Sequence, residues 1–166
     1  MLPRALLEEA SKRGVDIVEL VAKALSIDPP AVADAHLGLA EKFLEEGRRL
    51  VEADPVQASE KLYKAAEEAV KAAAVLLGLE EAERARELGR WSAAMLFSAA
   101  DKISEKRREA RWWWRTAWVL HVEGFHEARL RPSERDIGDV ESLVKLAKEL
   151  KGRWPQGRLS AEGPQD

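Results

Sequence analysis

The sequence contains no cysteine and no asparagine, and its single threonine is Thr116. The absence of cysteine excludes disulfide bonds and metal sites built from thiolates. Asparagine is thermolabile, whereas charged residues, which make up 34% of this chain, form ion pairs that lose less to desolvation at high temperature. We therefore expect a heat-adapted protein of the cytoplasm.

Long uncharged segments are missing as well. The longest, Trp91–Ala100, falls well short of the ~18 residues that a membrane-spanning helix needs. No basic segment leads into an apolar one near the N-terminus, so we expect neither a signal peptide nor a membrane partner. With 166 residues, 46% of them apolar, the chain has the length and composition of one globular domain.

The motifs of several common catalytic and cofactor sites are also absent. The chain has no G-x-G phosphate loop and no G-x-S-x-G nucleophile motif. Glu123 and His126 form one Glu-x-x-His, but helical bundles that bind two iron ions need two copies and further carboxylates. We predict no metal and no cofactor. His36, which lies beside the apolar face of its segment, is interpreted as structural.

What the sequence does contain is helical periodicity. Asp54 is a predicted N-cap, Pro55 suits the first helical position and Gln57 fits a capping box, while Gly78 marks a C-terminus. Small apolar residues recur between them at steps of three and four. The pattern predicts an all-α protein, a helical bundle of four long helices with short extra helices at both ends.

The element boundaries follow from the same signals. Residues 1–28 are predicted to form short N-terminal helices, residues 29–150 the bundle and residues 151–166 a flexible tail rich in Gly, Pro and polar residues. Within the bundle we expect a central, apolar helix over 91–108 and one continuous helix over 109–130.

Charge is distributed unevenly. The net charge is −3, yet residues 84–135 carry 12 basic and 7 acidic side chains, a balance of +5. Three consecutive tryptophans in this stretch subtend about 200° of a helix, so one core face cannot bury all of them. Tryptophan beside arginine suits base stacking and phosphate pairing, but also protein interfaces. The candidate residues for binding nucleic acid or a partner are Lys106, Arg107, Arg108, Arg111, Trp112, Trp113 and Trp114.

Arg115 and His121 suggest an alternative chemistry. Histidine moves protons near neutral pH and arginine holds a charged phosphorane, the two functions that a metal-independent ribonuclease needs. On an ideal helix the two residues are about 120° and ~9 Å apart, so one straight helix does not bring them together easily. A structural role for His121 in the core is the competing interpretation.

Several segments together resemble the archaeal PaREP family. The resemblance rests on stretches 36–44 and 54–71, the second of which is specific, and on 89–91 and 120–127. It implies a HEPN-like fold, an up-and-down bundle of four to five antiparallel helices that tends to dimerise. Many HEPN relatives are ribonucleases or partners of nucleotidyltransferases in toxin–antitoxin or defence systems. Their Arg-x(4–6)-His motif fits Arg115 and His121, although Thr116 stands where Asn, Asp or His usually follows the arginine.

The sequence therefore supports two hypotheses. The first is a non-catalytic binding or accessory module that forms a homodimer and contacts RNA, a nucleotide, or a partner protein such as a nucleotidyltransferase or an antitoxin. The second is a metal-independent endoribonuclease in which Arg115 holds the phosphate and His121 transfers protons.

Overall fold

The computed structural model describes residues 3–159, with side chains described as far as residue 154. All regular elements in this part are helical, which confirms the predicted all-α fold. No helix there is long and apolar enough to cross a bilayer. The elements in chain order are α1 (Arg4–Lys12), α2 (Ile17–Leu25), α3 (Pro29–Leu50), α4 (Pro55–Leu76), α5 (Glu80–Leu88), α6 (Ala93–Ile103), α7 (Ala110–Val119), a π-helix (Leu120–His126) and α8 (Glu134–Leu159).

Helices α3 and α4 pack against each other as a hairpin that turns at Asp54 and Pro55. The Asp54 side chain accepts a hydrogen bond from the Gln57 backbone N–H at 3.1 Å, and Pro55 is the first residue of α4. The two helices approach so closely at Gly47 that a Cβ added there would lie only 2.8 Å from Cγ of Leu62. Glycine at this position therefore sets the spacing of the hairpin.

Helix α4 is the centre of the bundle. It packs against α3, α5, α6, α7, the π-helix and α8, and its alanines are small enough for neighbours to approach on several sides. The prediction that 91–108 forms the central helix is wrong. Helix α6 is shorter than predicted and leaves Ala93 and Ala94 exposed. Only one side of α6 is buried in the core, and it consists of Leu96, Ala99, Ala100 and Ile103.

The predicted continuous helix over 109–130 is interrupted. Helix α7 passes into the π-helix at Leu120, and the Glu123 carbonyl then accepts hydrogen bonds from the backbone N–H groups of Arg129 and Leu130 at 2.9 and 3.1 Å. The π-helix lies directly against α4, since a Cβ on Gly124 would lie 2.6 Å from Cβ of Ser59. Tertiary contact at Gly124 thus accompanies the change of helix type.

The C-terminal boundary also differs from the predicted one. Helix α8 does not end at Leu150 but continues to Leu159, so residues 151–159 are helical rather than a loose tail. Leu150 and Trp154 are four residues apart on one side of the helix, and both pack against the core. Residues 160–166 lie outside the described part of the chain.

A buried ionic network joins helix α2 to the bundle. His36 is fully enclosed, with Nδ1 2.6 Å from a Glu68 carboxylate oxygen and Nε2 2.8 Å from a Glu19 oxygen. Burial alone would lower the pKa of His36, but the hydrogen bonds to Glu19 and Glu68 outweigh it and raise that pKa to about 9. Both ring nitrogens donate, and His36 is an imidazolium between two carboxylates. This placement agrees with the structural role that the sequence predicted for His36.

Lys71 extends the same network. Its Nζ lies 2.8 Å from Asp16, 3.0 Å from Glu67 and 3.1 Å from Glu68. Burial lowers the pKa of this ammonium, but the three carboxylates, Glu67 first, raise it well above its usual value. The Trp91 indole N–H donates to Glu19 at 3.1 Å. Helices α2, α3 and α4 are therefore joined by buried ion pairs.

We predict that the His36→Gln substitution destabilises the protein by about 3–5 kcal/mol, because it leaves the buried Glu19 carboxylate without its cation and Glu68 with Lys71 alone. The effect also depends on pH. The folded-state pKa is raised above the unfolded value, so the stabilisation is complete below pH ~6.5 and is lost as the pH rises through 9. The raised pKa of His36 corresponds to a decrease in the free energy of unfolding on the order of 3 kcal/mol over this pH range.

Urea unfolding at pH 6, 7.5 and 9.5 measures this loss as the difference between the wild type and His36→Gln. The control is Arg49→Gln, which removes an exposed cation from the same helix and should keep the wild-type pH dependence. A difference that stays constant over this pH range would contradict the buried imidazolium.

The close contact between the π-helix and α4 gives a second prediction. Gly124→Ala should lower the free energy of unfolding by about 1–3 kcal/mol, because the added methyl group overlaps Ser59. The control is Gly38→Ala on α3, where an added Cβ meets open space and alanine should stabilise the helix by about 0.5–1 kcal/mol. Thermal unfolding distinguishes the two, and equal effects would show that the contact is not tight.

Candidate functional site

The three consecutive tryptophans of α7 lie in three different environments. Trp114 is 1% exposed and packs its ring against Tyr63 and Phe97, with centroids 5.8 and 5.5 Å away. Trp113 is half-buried against the core, whereas Trp112 is 62% exposed. Of the three, only Trp112 presents most of its ring to the surroundings, which is unusual for so large an apolar side chain.

Two arginines flank this exposed ring. The guanidinium carbons of Arg111 and Arg115 lie 5.9 and 5.8 Å from the Trp112 ring. Arg115 follows Trp112 by three residues, so both belong to one side of α7, and Arg108 is exposed just before the helix begins. We call Arg108, Arg111, Trp112 and Arg115 the Trp112 face.

The basic residues differ in how far they are neutralised. Arg111 forms an ion pair with Asp101 at 3.4 Å, and Arg107 pairs with Glu149 at the same distance. The other cations between residues 106 and 115 are exposed and make no side-chain hydrogen bond or ion pair with any residue that the structure describes. They are Lys106, Arg108 and Arg115. The Trp112 face and the nearby Lys106 therefore keep an excess of positive charge.

His121 lies elsewhere, on the side of the chain that contacts α4. Its Nδ1 is 2.9 Å from a Glu60 carboxylate oxygen, and its ring stacks on Tyr63 with centroids 4.1 Å apart. Burial, with Glu67 and Glu60 adding to it, raises the pKa of Tyr63 far above its usual range, so this ring is a neutral phenol. Only 19% of the His121 side chain is exposed.

The structure does not bring Arg115 and His121 together. No hydrogen bond, ion pair or ring contact joins them, and Arg115 contacts Trp112 on the outer side of α7. The residue after the arginine, Thr116, donates its hydroxyl hydrogen to Asp139 of α8 at 2.7 Å. Its side chain thus links two helices.

A histidine pair that sequence reasoning missed lies at the π-helix. Nε2 of His126 is 3.1 Å from Nε2 of His121, which completes a chain from Glu60 through His121 to His126. On an ideal α-helix, residues five apart lie about 140° away from each other. The wider π-helix turn, which closes from residue i to i+5, places them on one side.

The buried network contains a further group of potential metal ligands. Asp16, His36 and Glu68 place ligand atoms within 4.8 Å of one another. The Lys71 ammonium already lies among these carboxylates, and both nitrogens of His36 donate to Glu19 and Glu68. A resident cation therefore compensates this cluster, which fits a structural role better than metal binding.

Comparison with known proteins places the chain among archaeal relatives. The model of the archaeal PaREP1/PaREP8 family matches residues 35–151. The crystal structure of a protein from Sulfolobus solfataricus is 38% identical, with a TM-score of 0.60 over 67% of this chain and 94% of that chain.

A second solved structure agrees with the first. The solution structure of the Orf c02003 protein, from the same structural-genomics target, is 35% identical with a TM-score of 0.56, over 76% of this chain and 94% of that chain. A comparison with curated proteins gave no match. The family model covers more than half of the chain and includes α4, α7 and the π-helix. The chain belongs to the archaeal PaREP1/PaREP8 family.

Proposed function

We propose that this protein is a non-catalytic binding module that holds single-stranded RNA on the Trp112 face. The observation that carries the proposal is the exposed Trp112 ring, 62% accessible, with the Arg111 and Arg115 guanidinium groups beside it. An indole at the surface offers a flat apolar platform, and arginines at its edges offer planar, permanently charged donors for phosphate.

Single-stranded RNA fits this chemistry better than a duplex does. Bases in a duplex are already stacked, whereas unpaired bases stack on aromatic side chains, each contributing about 1–3 kcal/mol. The uncompensated cations Lys106, Arg108 and Arg115 supply charge for the backbone that links those bases. The balance of +5 over residues 84–135 favours a polyanion over a neutral partner.

A second copy of the chain is the competing occupant. Tryptophan and arginine are both enriched in protein interfaces, and Val119, two turns after Trp112, is 44% exposed. Three arginines on one small face would repel their symmetry mates near a two-fold axis, whereas RNA would neutralise them. The charge therefore favours RNA, and the homodimer becomes an outcome of the test.

The test is a titration of a fluorescein-labelled single-stranded RNA, followed by anisotropy at 50 and 200 mM salt. We expect Trp112→Ala to weaken binding about 5- to 150-fold, because it removes the stacking of one base on the indole ring. Arg108→Gln and Arg115→Gln should each reduce the slope of log affinity against log salt by roughly 0.7. The control is Arg49→Gln, an exposed arginine on α3, which should change neither quantity.

Two results would refute the proposal. One is an affinity that does not respond to salt or to Trp112→Ala. The other is light scattering that shows a dimer dissociating in Trp112→Ala while neither protein binds RNA, since the face would then be a homodimer interface.

The HEPN-type ribonuclease is the second candidate function. It is favoured by the hydrogen bond between Glu60 and His121, because a histidine that acts as a general base is commonly oriented by a carboxylate. It requires Arg115 and His121 to act on the same phosphate. Cleavage of RNA with chelator present, lost in both His121→Ala and Arg115→Ala, would replace the binding-module proposal.

A further inference from the structure

We propose that the π-helix binds one divalent transition-metal ion between Nε2 of His121 and Nε2 of His126, with Glu60 orienting the first ligand. The inference rests on the histidine pair alone and holds whether or not the Trp112 face binds RNA. It assigns a metal site where the sequence predicted none.

The distance between the two nitrogens suits a shared ion. They are 3.1 Å apart and face each other. Zinc lies about 2.0–2.1 Å from imidazole nitrogen, so an ion beside the midpoint of the pair can bind both.

The fold holds His121 ready as a ligand. Its Nδ1–H donates to Glu60 at 2.9 Å, which leaves the Nε2 lone pair directed toward His126. A carboxylate on the far nitrogen is the usual partner of a metal-bound histidine, and it raises the basicity of the ligand. Tyr63, stacked at 4.1 Å, and Trp118, with its centroid at 5.4 Å, fix the plane of the ring.

Access and charge also suit a bound ion. His126 is exposed, so solvent can occupy the remaining coordination positions. Glu123, the acidic residue of the Glu-x-x-His motif, forms a two-point ion pair with Arg129 and is held away from the histidines. Two imidazoles select zinc, nickel or copper over magnesium and calcium, which prefer oxygen ligands.

The experiment is calorimetric titration of the folded protein, prepared without a histidine tag, with Zn²⁺, Ni²⁺ and, as a probe of selectivity, Mg²⁺. We expect one Zn²⁺ or Ni²⁺ per chain and no binding of Mg²⁺. His126→Ala should weaken binding at least 10-fold, and because this residue is exposed, the variant should fold normally. Glu60→Gln should weaken binding about 10- to 100-fold through the orientation of His121.

The matched control is Glu123→Gln, the same chemical change on the π-helix itself, which should leave the affinity unchanged. Zn²⁺ should also raise the melting temperature of the wild type but not of His126→Ala. The proposal is overturned if the wild type binds no zinc, or if His126→Ala binds it equally well. It is also overturned if Glu123→Gln loses as much affinity as Glu60→Gln, since Glu123 would then be a ligand.

Discussion

The close packing of other helices around α4 is the constraint on which the rest of the structure depends. Its buried alanines and Ser59 let six neighbouring elements contact one helix. The same helix supplies a carboxylate partner to each histidine cluster, Glu60 for His121 and Glu68 for His36. Its Tyr63 stacks on His121, and its Lys71 donates to Glu68. Glu60 and Glu68 are eight residues apart, about 12 Å along the helix, so the two clusters are separate.

The two clusters use carboxylate–histidine contacts for different purposes. His36 is enclosed between two carboxylates, so the proton on each nitrogen is held, and the imidazolium stays charged beside Lys71. His121 has a carboxylate on one nitrogen only, and its other nitrogen faces the exposed His126. Complete pairing makes the first cluster a structural crosslink. Incomplete pairing at a partly accessible position leaves the second able to accept a ligand.

Helix boundaries such as the start of α4 could be predicted from the sequence, because capping signals act between residues that are close together in the chain. Asp54 and Pro55 fix the start of α4 through a side-chain cap and a preset φ angle, and the structure confirms both. The π-helix could not be predicted in this way, since it accompanies the contact of Gly124 with Ser59, which are 65 positions apart in the chain. The position of His126 beside His121 depends on that change of register. Pairs between distant segments, such as Glu19 with His36, likewise require the tertiary structure.

The two candidate sites lie on different sides of the segment formed by α7 and the π-helix. Up to Val119, α7 keeps the α-helical register, which turns Trp114 into the core and leaves Trp112 and Arg115 outside. His121 follows Trp114 by seven residues, about two helical turns, so it lies on the same side as Trp114 and contacts Glu60 on α4. A continuous α-helix would place His121 and His126 far apart in angle, and an ion could not then bridge them. Substitutions on the Trp112 face and at the histidine pair should therefore act independently, because no hydrogen bond, ion pair or ring contact of the described residues joins the two sites.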